Sequence, residues 1–110
     1  MALIPPIVLS GLKQSDGAQI VAVPTRNTSW VMIDIESGST QGSIAIYVQT
    51  PEMNGYKAFR DANGNAVTIS ASNPYPIFMT SISLDNIKLV PAGLDAGTTY
   101  NAVITMKGGD

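Results

Sequence analysis

Residues 30–49, WVMIDIESGSTQGSIAIYVQ, decide the fold. Val31, Ile33 and Ile35 alternate with Met32, Asp34 and Glu36, which is the period of a strand with one face buried. After Ser37-Gly38-Ser39-Thr40-Gln41-Gly42, a polar hairpin loop, the same period resumes. Ile44, Ile46 and Val48 share one face of this second strand, and Ser43, Ala45, Tyr47 and Gln49 share the other.

Outward from this hairpin the chain keeps the same texture. Ile and Val together number twenty against six Leu. β-Branched side chains suit a pleated surface and lose rotamer freedom in a helix. Strands are expected at Ala18–Val23, Trp30–Glu36, Ser43–Gln49, Tyr56–Arg60, Ala66–Ser70, Pro76–Ile82, Asn86–Val90 and Tyr100–Met106. Ten Gly and seven Pro sit mostly between these runs. Asp61-Ala62-Asn63-Gly64-Asn65 carries Asn-Gly, the favoured centre of a tight turn with positive φ, so a hairpin is expected there. The best candidate for a turn of helix lies around Pro91–Ala96. Short strands with turns every eight to twelve residues specify an all-β chain, a single antiparallel β-sandwich (jelly-roll or Ig-like) of about eight short strands with an extended N-terminal arm.

That arm, MALIPPIVLS at residues 1–10, carries Leu3, Ile4, Ile7, Val8 and Leu9 and no charged side chain. Pro5 and Pro6 fix two φ angles and remove two amide donors, which suits neither a helix nor a central strand. Fully stretched it reaches about 30 Å. With no Lys or Arg in an n-region and a Pro pair in its middle, it does not read as an export signal. Its side chains need cover, and two destinations fit: an edge of its own sandwich, or a neighbouring subunit. Residues 11–17, GLKQSDG, form the joint, giving an arm and joint at 1–17 and a sandwich domain at 18–110. On the second destination Leu3, Ile4, Pro5, Pro6, Ile7 and Val8 are the candidate contact residues.

The chain has no His and no Cys. The usual neutral-pH proton shuttle, the thiolate nucleophile and two soft metal ligands are therefore missing. No Ser has a His base, and nothing sets Lys13, Lys57, Lys88 or Lys107 beside a chosen Ser. Asp34 and Glu36 share a face, but a solvated strand face accounts for them more simply than a carboxylate pair for glycoside hydrolysis. Asp61, Asn63 and Asn65 imitate the start of a calcium loop. Its glycine falls at the fourth position rather than the sixth, and Ser72 stands where a bidentate Glu belongs. No enzymatic function and no cofactor or metal are expected.

Charged residues make up 13% of the chain, about half the usual share, and the net charge is −2. The six basic residues are scattered, so no stripe exists to follow phosphates. No apolar run approaches membrane-spanning length. Low charge leaves little repulsion between molecules and fits a surface that neighbours cover. The seven aromatics, Trp30, Tyr47, Tyr56, Phe59, Tyr75, Phe78 and Tyr100, fit the core or an interface. Several of them outward on one face would instead indicate a platform for sugar rings.

From Trp30 onward the layout resembles the small β-sandwich virion proteins of tailed bacteriophages. WVMIDIES and SIAIYVQT flank a Gly/Ser loop, YKAFRDANGNAVTIS follows, and NIKLVPAG and GTTYNAVITM close the chain. The resemblance covers about two thirds of the sequence and has no diagnostic motif. It implies a capsid decoration or cement protein on the virion surface, made in the host cytoplasm. The implied partner is the major capsid protein, and the implied state is a homo-oligomer with a trimer favoured. A carbohydrate-binding or adhesive module and a tail or baseplate component are the alternatives.

Overall fold

A computed structural model describes residues 3–23, 28–50, 54–80 and 85–108. Among the described residues nine strands are formed: β1 (Leu3–Leu12), β2 (Gln19–Ala22), β3 (Thr28–Ser37), β4 (Ser43–Gln49), β5 (Lys57–Ala58), β6 (Thr68–Ser70), β7 (Ile77–Thr80), β8 (Asn86–Ala92) and β9 (Tyr100–Gly108). They form two antiparallel sheets. One has the order β1-β9-β3-β7; the other has β2-β8-β4-β5, with β6 also pairing β4. The chain is an all-β sandwich, as the alternation requires.

The core is where the inward parities of both sheets meet. Val31, Ile33 and Ile35 of β3, Ala102, Ile104 and Met106 of β9, Ile44 and Ile46 of β4, and Ile87 and Leu89 of β8 are all buried. Each buried Ile or Leu stabilises the fold by about 1.5–3 kcal/mol. Asp34 and Glu36 point outward and are exposed, so the strand that carries them has the polarity its alternation predicts.

Residues 3–12 take the first of the two destinations open to them. β1 pairs with β9 of the same chain, Leu3 opposite Lys107, Ile7 opposite Ile104 and Leu12 opposite Tyr100. The segment read as an extended arm is thus an edge strand of its own sandwich. The register shifts between Ile4 and Ile7, so Pro5 and Pro6 together oppose one residue of β9. Such a bulge at a sheet edge is where residues lacking an N–H are tolerated. Of the candidate contact residues, Ile7 is half-buried and packs against the core, whereas Pro5, Pro6 and Val8 are exposed. The side chains of Leu3 and Ile4 lie outside the described set.

Two expectations are corrected. The helical turn is not at Pro91–Ala96, since Pro91 and Ala92 continue β8 opposite Ile44 and Ser43. β2 begins only at Gln19, opposite Leu89, so beyond that pair β8 is an edge and the missing Pro91 N–H disrupts no ladder on that side. Among the described residues the helical turn is a 3-10 turn at Gln14–Asp16, inside the segment read as the joint. The Asn63-Gly64 turn is real but shifted. The Gly64 N–H donates to the Asp61 carbonyl at 3.0 Å, which puts Ala62 and Asn63 at the centre and Gly64, at φ +82°, after them. This is the three-residue hairpin solution, with glycine in the left-handed position.

Candidate interaction face

The outer surface of the four-stranded sheet is set by register and parity. Met32 of β3 stands opposite Thr105 of β9 on one side and Phe78 of β7 on the other. One step along, Val8 of β1 stands opposite Val103, and Val103 opposite Asp34. Because Ile33 and Ile104 between these rows are buried, both rows face outward. Val8 and Phe78 are each 59% exposed, while Met32, Val103 and Thr105 are half-buried among their neighbours. An apolar band therefore crosses the face. Lys107 flanks it at one end; Asn101 and Glu36, paired in register, flank it at the other.

The outer surface of the five-stranded sheet has different chemistry. Lys88 of β8 stands opposite Ile20 of β2 and Tyr47 of β4. Its Nζ lies 5.1 Å from the centre of the Tyr56 ring, a cation–π distance. One row on, the Asn86 side-chain amide donates to Gln49 Oε1 at 2.7 Å. Ile20 is 58% exposed at the edge of this group.

At one end of the sandwich the β3–β4 loop, the β8–β9 loop and the 3-10 turn meet. The Asp95 carboxylate accepts from the N–H and the hydroxyl of Thr40, both at 2.7 Å. The Asp95 N–H donates to Ser39 Oγ at 2.9 Å, and the Leu94 N–H donates to Gln14 Oε1 at 2.7 Å. The two hydrogen bonds from Thr40 favour the charged form and hold Asp95 below the usual carboxylate range. An open cavity of about 500 Å³ lies between Lys13, Gln14 and the 94–98 loop. Asp95 is committed to tying the two loops together, which leaves the cavity no buried polar group of its own.

Beneath this end Tyr100 is 1% exposed, and its hydroxyl has no hydrogen-bond partner among the described residues. Burial pushes its ionisation up, and the negative charge of Asp16 adds to the effect. Asp61, the first residue of the calcium-like pattern, accepts the N–H groups of Asn63 and Asn65 at 2.9 and 3.0 Å. Its carboxylate organises the hairpin. No group of three or more acidic side chains that could hold a metal occurs among the described residues.

Of the candidate contact residues Val8 lies on this outer face, and Phe78, Met32 and Val103 were not among the candidates. For Phe78 no signal was available, because Ile77-Phe78-Met79 is apolar at every position and parity cannot be read from it. Met32 and Val103 were readable, since each alternates with residues assigned to the core.

These features define a class: a two-sheet antiparallel sandwich with an apolar band on one outer face. The sequence matches no protein-family model and no curated protein. Among solved structures, that of the SPBc2 prophage-derived protein YomS is similar in fold. It aligns with a TM-score of 0.61 over 97% of this chain and 99% of that chain, at 11% sequence identity.

Proposed function

We propose that this chain is a structural protein of a phage particle that works by covering apolar surface against other protein subunits. Its most economical role is decoration or cementing of the capsid exterior, with the major capsid protein as partner. The observation that carries this reading is the band through Val8, Val103, Met32 and Phe78, which leaves two large apolar side chains more than half exposed. Burial returns about 25 cal/mol per Å² of apolar area, so a modest contact repeated over a lattice sums to a large stabilisation. End-to-end similarity of fold to a prophage-derived protein supports the phage setting.

The test is cosedimentation of the purified chain with particles of the phage or prophage that encodes it, after those particles have been stripped of it. Saturable binding that raises the temperature of particle disruption is expected, and Phe78→Asp is expected to abolish it. No binding to heads would overturn the decoration role, and binding to isolated tails would move the chain to a tail or baseplate position. Tyr47 and Tyr56 beside the Asn86–Gln49 amide pair favour a second reading, a sugar-binding module. Binding of the isolated chain to a glycan array, lost in Tyr47→Ala, would support it.

A further inference from the structure

We infer that Asn54 is a site of spontaneous deamidation in the folded chain, and that the fold directs this chemistry to Asn54 by shielding Asn63, which is followed by the same residue.

Three bonds of the chain join an Asn or Asp to glycine: Asp16–Gly17, Asn54–Gly55 and Asn63–Gly64. Glycine in the second place makes such a bond reactive. It has no Cβ to hinder ring closure, and its backbone turns freely enough to bring its nitrogen against the preceding side chain. At an Asn the glycine nitrogen attacks Cγ, forming an N–Cγ bond as the Cγ–Nδ2 bond breaks. The side-chain amide leaves as ammonia, taking the proton that the glycine nitrogen gives up. Water then opens the cyclic imide. Opening at the Cγ carbonyl gives Asp. Opening at the main-chain carbonyl gives isoaspartate, whose backbone runs through Cβ and Cγ. Water enters and ammonia leaves, and nothing is oxidised or reduced.

The glycine N–H must therefore be free to lose its proton, and its peptide free to turn. At Asn63 neither condition is met. The Gly64 N–H donates to the Asp61 carbonyl at 3.0 Å, and the Gly64 carbonyl accepts from Arg60 Nη1 at 2.8 Å. The N–H groups of Asn63 and Asn65 both donate to Asp61 Oδ1, at 2.9 and 3.0 Å. The Asp61 carboxylate also opposes the negative charge that the Gly64 nitrogen must take on. Asp16–Gly17 is held in the same manner. The Gly17 N–H donates to the Gln14 carbonyl at 3.0 Å, and the Asp16 carboxylate accepts the Lys13 N–H at 2.8 Å.

At Asn54 both conditions are met. Asn54 and Gly55 form an exposed bend ahead of β5. Among the described residues the Gly55 N–H has no hydrogen-bond partner. Apart from its chain neighbours, no heavy atom lies within 4 Å of the place a Gly55 Cβ would take, so the peptide can turn without collision. Reaction there replaces a neutral amide by a carboxylate and makes the net charge one unit more negative than −2. Isoaspartate would also lengthen the backbone two residues before Tyr56, whose ring lies under Lys88 Nζ.

The test is to age the intact chain in warm, mildly alkaline buffer and follow its tryptic peptides by mass spectrometry, with isoaspartate resolved by chromatography. Lys57 and Arg60 put the two Asn-Gly bonds on separate peptides. Asn54 is expected to deamidate faster than Asn63 by roughly tenfold or more, because the Asn63 turn must first break its hydrogen bonds. In concentrated urea the two rates should converge, since both bonds then lie in open chain. Asp61→Ala should speed the reaction at Asn63 and leave Asn54 unchanged. Asn54→Gln should remove most of the acidic drift that isoelectric focusing shows in the ageing wild type. Equal rates in the folded chain, a faster Asn63, an inert Asn54, a gap that persists in urea, or an Asn63 indifferent to Asp61→Ala would each overturn the inference.

Discussion

Replacing Gly42 with alanine tests the tightest backbone approach in the sandwich. Gly42 precedes β4 and sits at φ +88°, where an L side chain is strained. A Cβ there would lie 2.5 Å from the Gly93 carbonyl carbon and 2.6 Å from the carbonyl oxygens of Ala92 and Gly93. These are backbone atoms where β8 ends, so no side chain can swing away. The Gly42 carbonyl also accepts the Ala71 N–H at 3.0 Å, which fixes the peptide from its other side. Left-handed backbone costs about 1–2 kcal/mol for a residue with a Cβ. Forcing β4 and β8 apart adds about 1–3 kcal/mol, as overpacking does elsewhere. The expected loss is about 2–5 kcal/mol, a large share of a typical stability of about 5–15 kcal/mol. Gly93→Ala is the internal control. Its φ is +71°, but its added Cβ meets only the Gly42 Cα at 3.5 Å, an ordinary contact, so the backbone cost of about 1–2 kcal/mol stands alone. Urea denaturation of the three proteins under identical conditions reads both differences as midpoint shifts at constant slope. Equal losses in the two variants, or a Gly42→Ala loss below about 1 kcal/mol, would refute the reasoning.

Other expectations concern burial and charge. Tyr100→Phe should leave stability unchanged or raise it by about 1 kcal/mol, because it removes a buried hydroxyl that has no partner among the described residues. The raised ionisation of Tyr100 also means that the unfolded chain loses this proton first. Stability should therefore fall as pH rises past about 10, and Tyr100→Phe should flatten that fall in alkaline denaturation curves. Asp95 has the opposite sign: its lowered pKa contributes stability above the ordinary carboxylate range, and that contribution is lost as pH falls through the folded value. Asp95→Asn should lower the neutral plateau of a stability–pH profile and so shallow its acid limb. Ile104→Ala, at a fully buried position of β9, should cost about 2–5 kcal/mol in the same denaturation assay; a loss under 1 kcal/mol would contradict the core assignment.

Alternation was legible wherever one face is wet. The bounds of β4 agree at both ends with those expected, because Ile44 and Ile46 contrast with Ser43, Tyr47 and Gln49. β3 is oriented correctly for the same reason, with Asp34 and Glu36 marking the outside. Legibility fails where the contrast fails. Leu3–Leu9 is apolar on both parities, so the sequence could not tell which residues turn inward or whose sheet they join. The bulge at Pro5–Pro6 then shifts the parity, which puts Ile7 inward and Val8 outward. Residues 91–96 read as a turn of helix because the place of Pro91 past the first pair of β2 is a matter of topology, which no local pattern encodes. The stretch 56–70 reads as one hairpin and forms one, closed by the Arg60–Ala66 bridge, but nothing local shows that β5 and β6 also pair with different halves of β4. The interaction face needed the pairing of β7 with β3 before Phe78 and Met32 could be seen as neighbours.

β9 lies between β1 and β3, flanked by a strand that starts at residue 3 and one that starts at residue 28. During synthesis β1 has no partner in its sheet until residues 100–108 have left the ribosome. The sheet closes last at its middle, so folding of this sheet waits on β9 and on the loop closure that brings it back to β1. Such distant pairing belongs to the slow class, milliseconds to seconds, and for that interval the apolar Leu3–Leu9 segment is open to capture. A chain lacking β9 would leave β1 stranded and β3 bare on one side, which makes nonsense truncation near residue 99 a route to aggregation rather than to a smaller working protein.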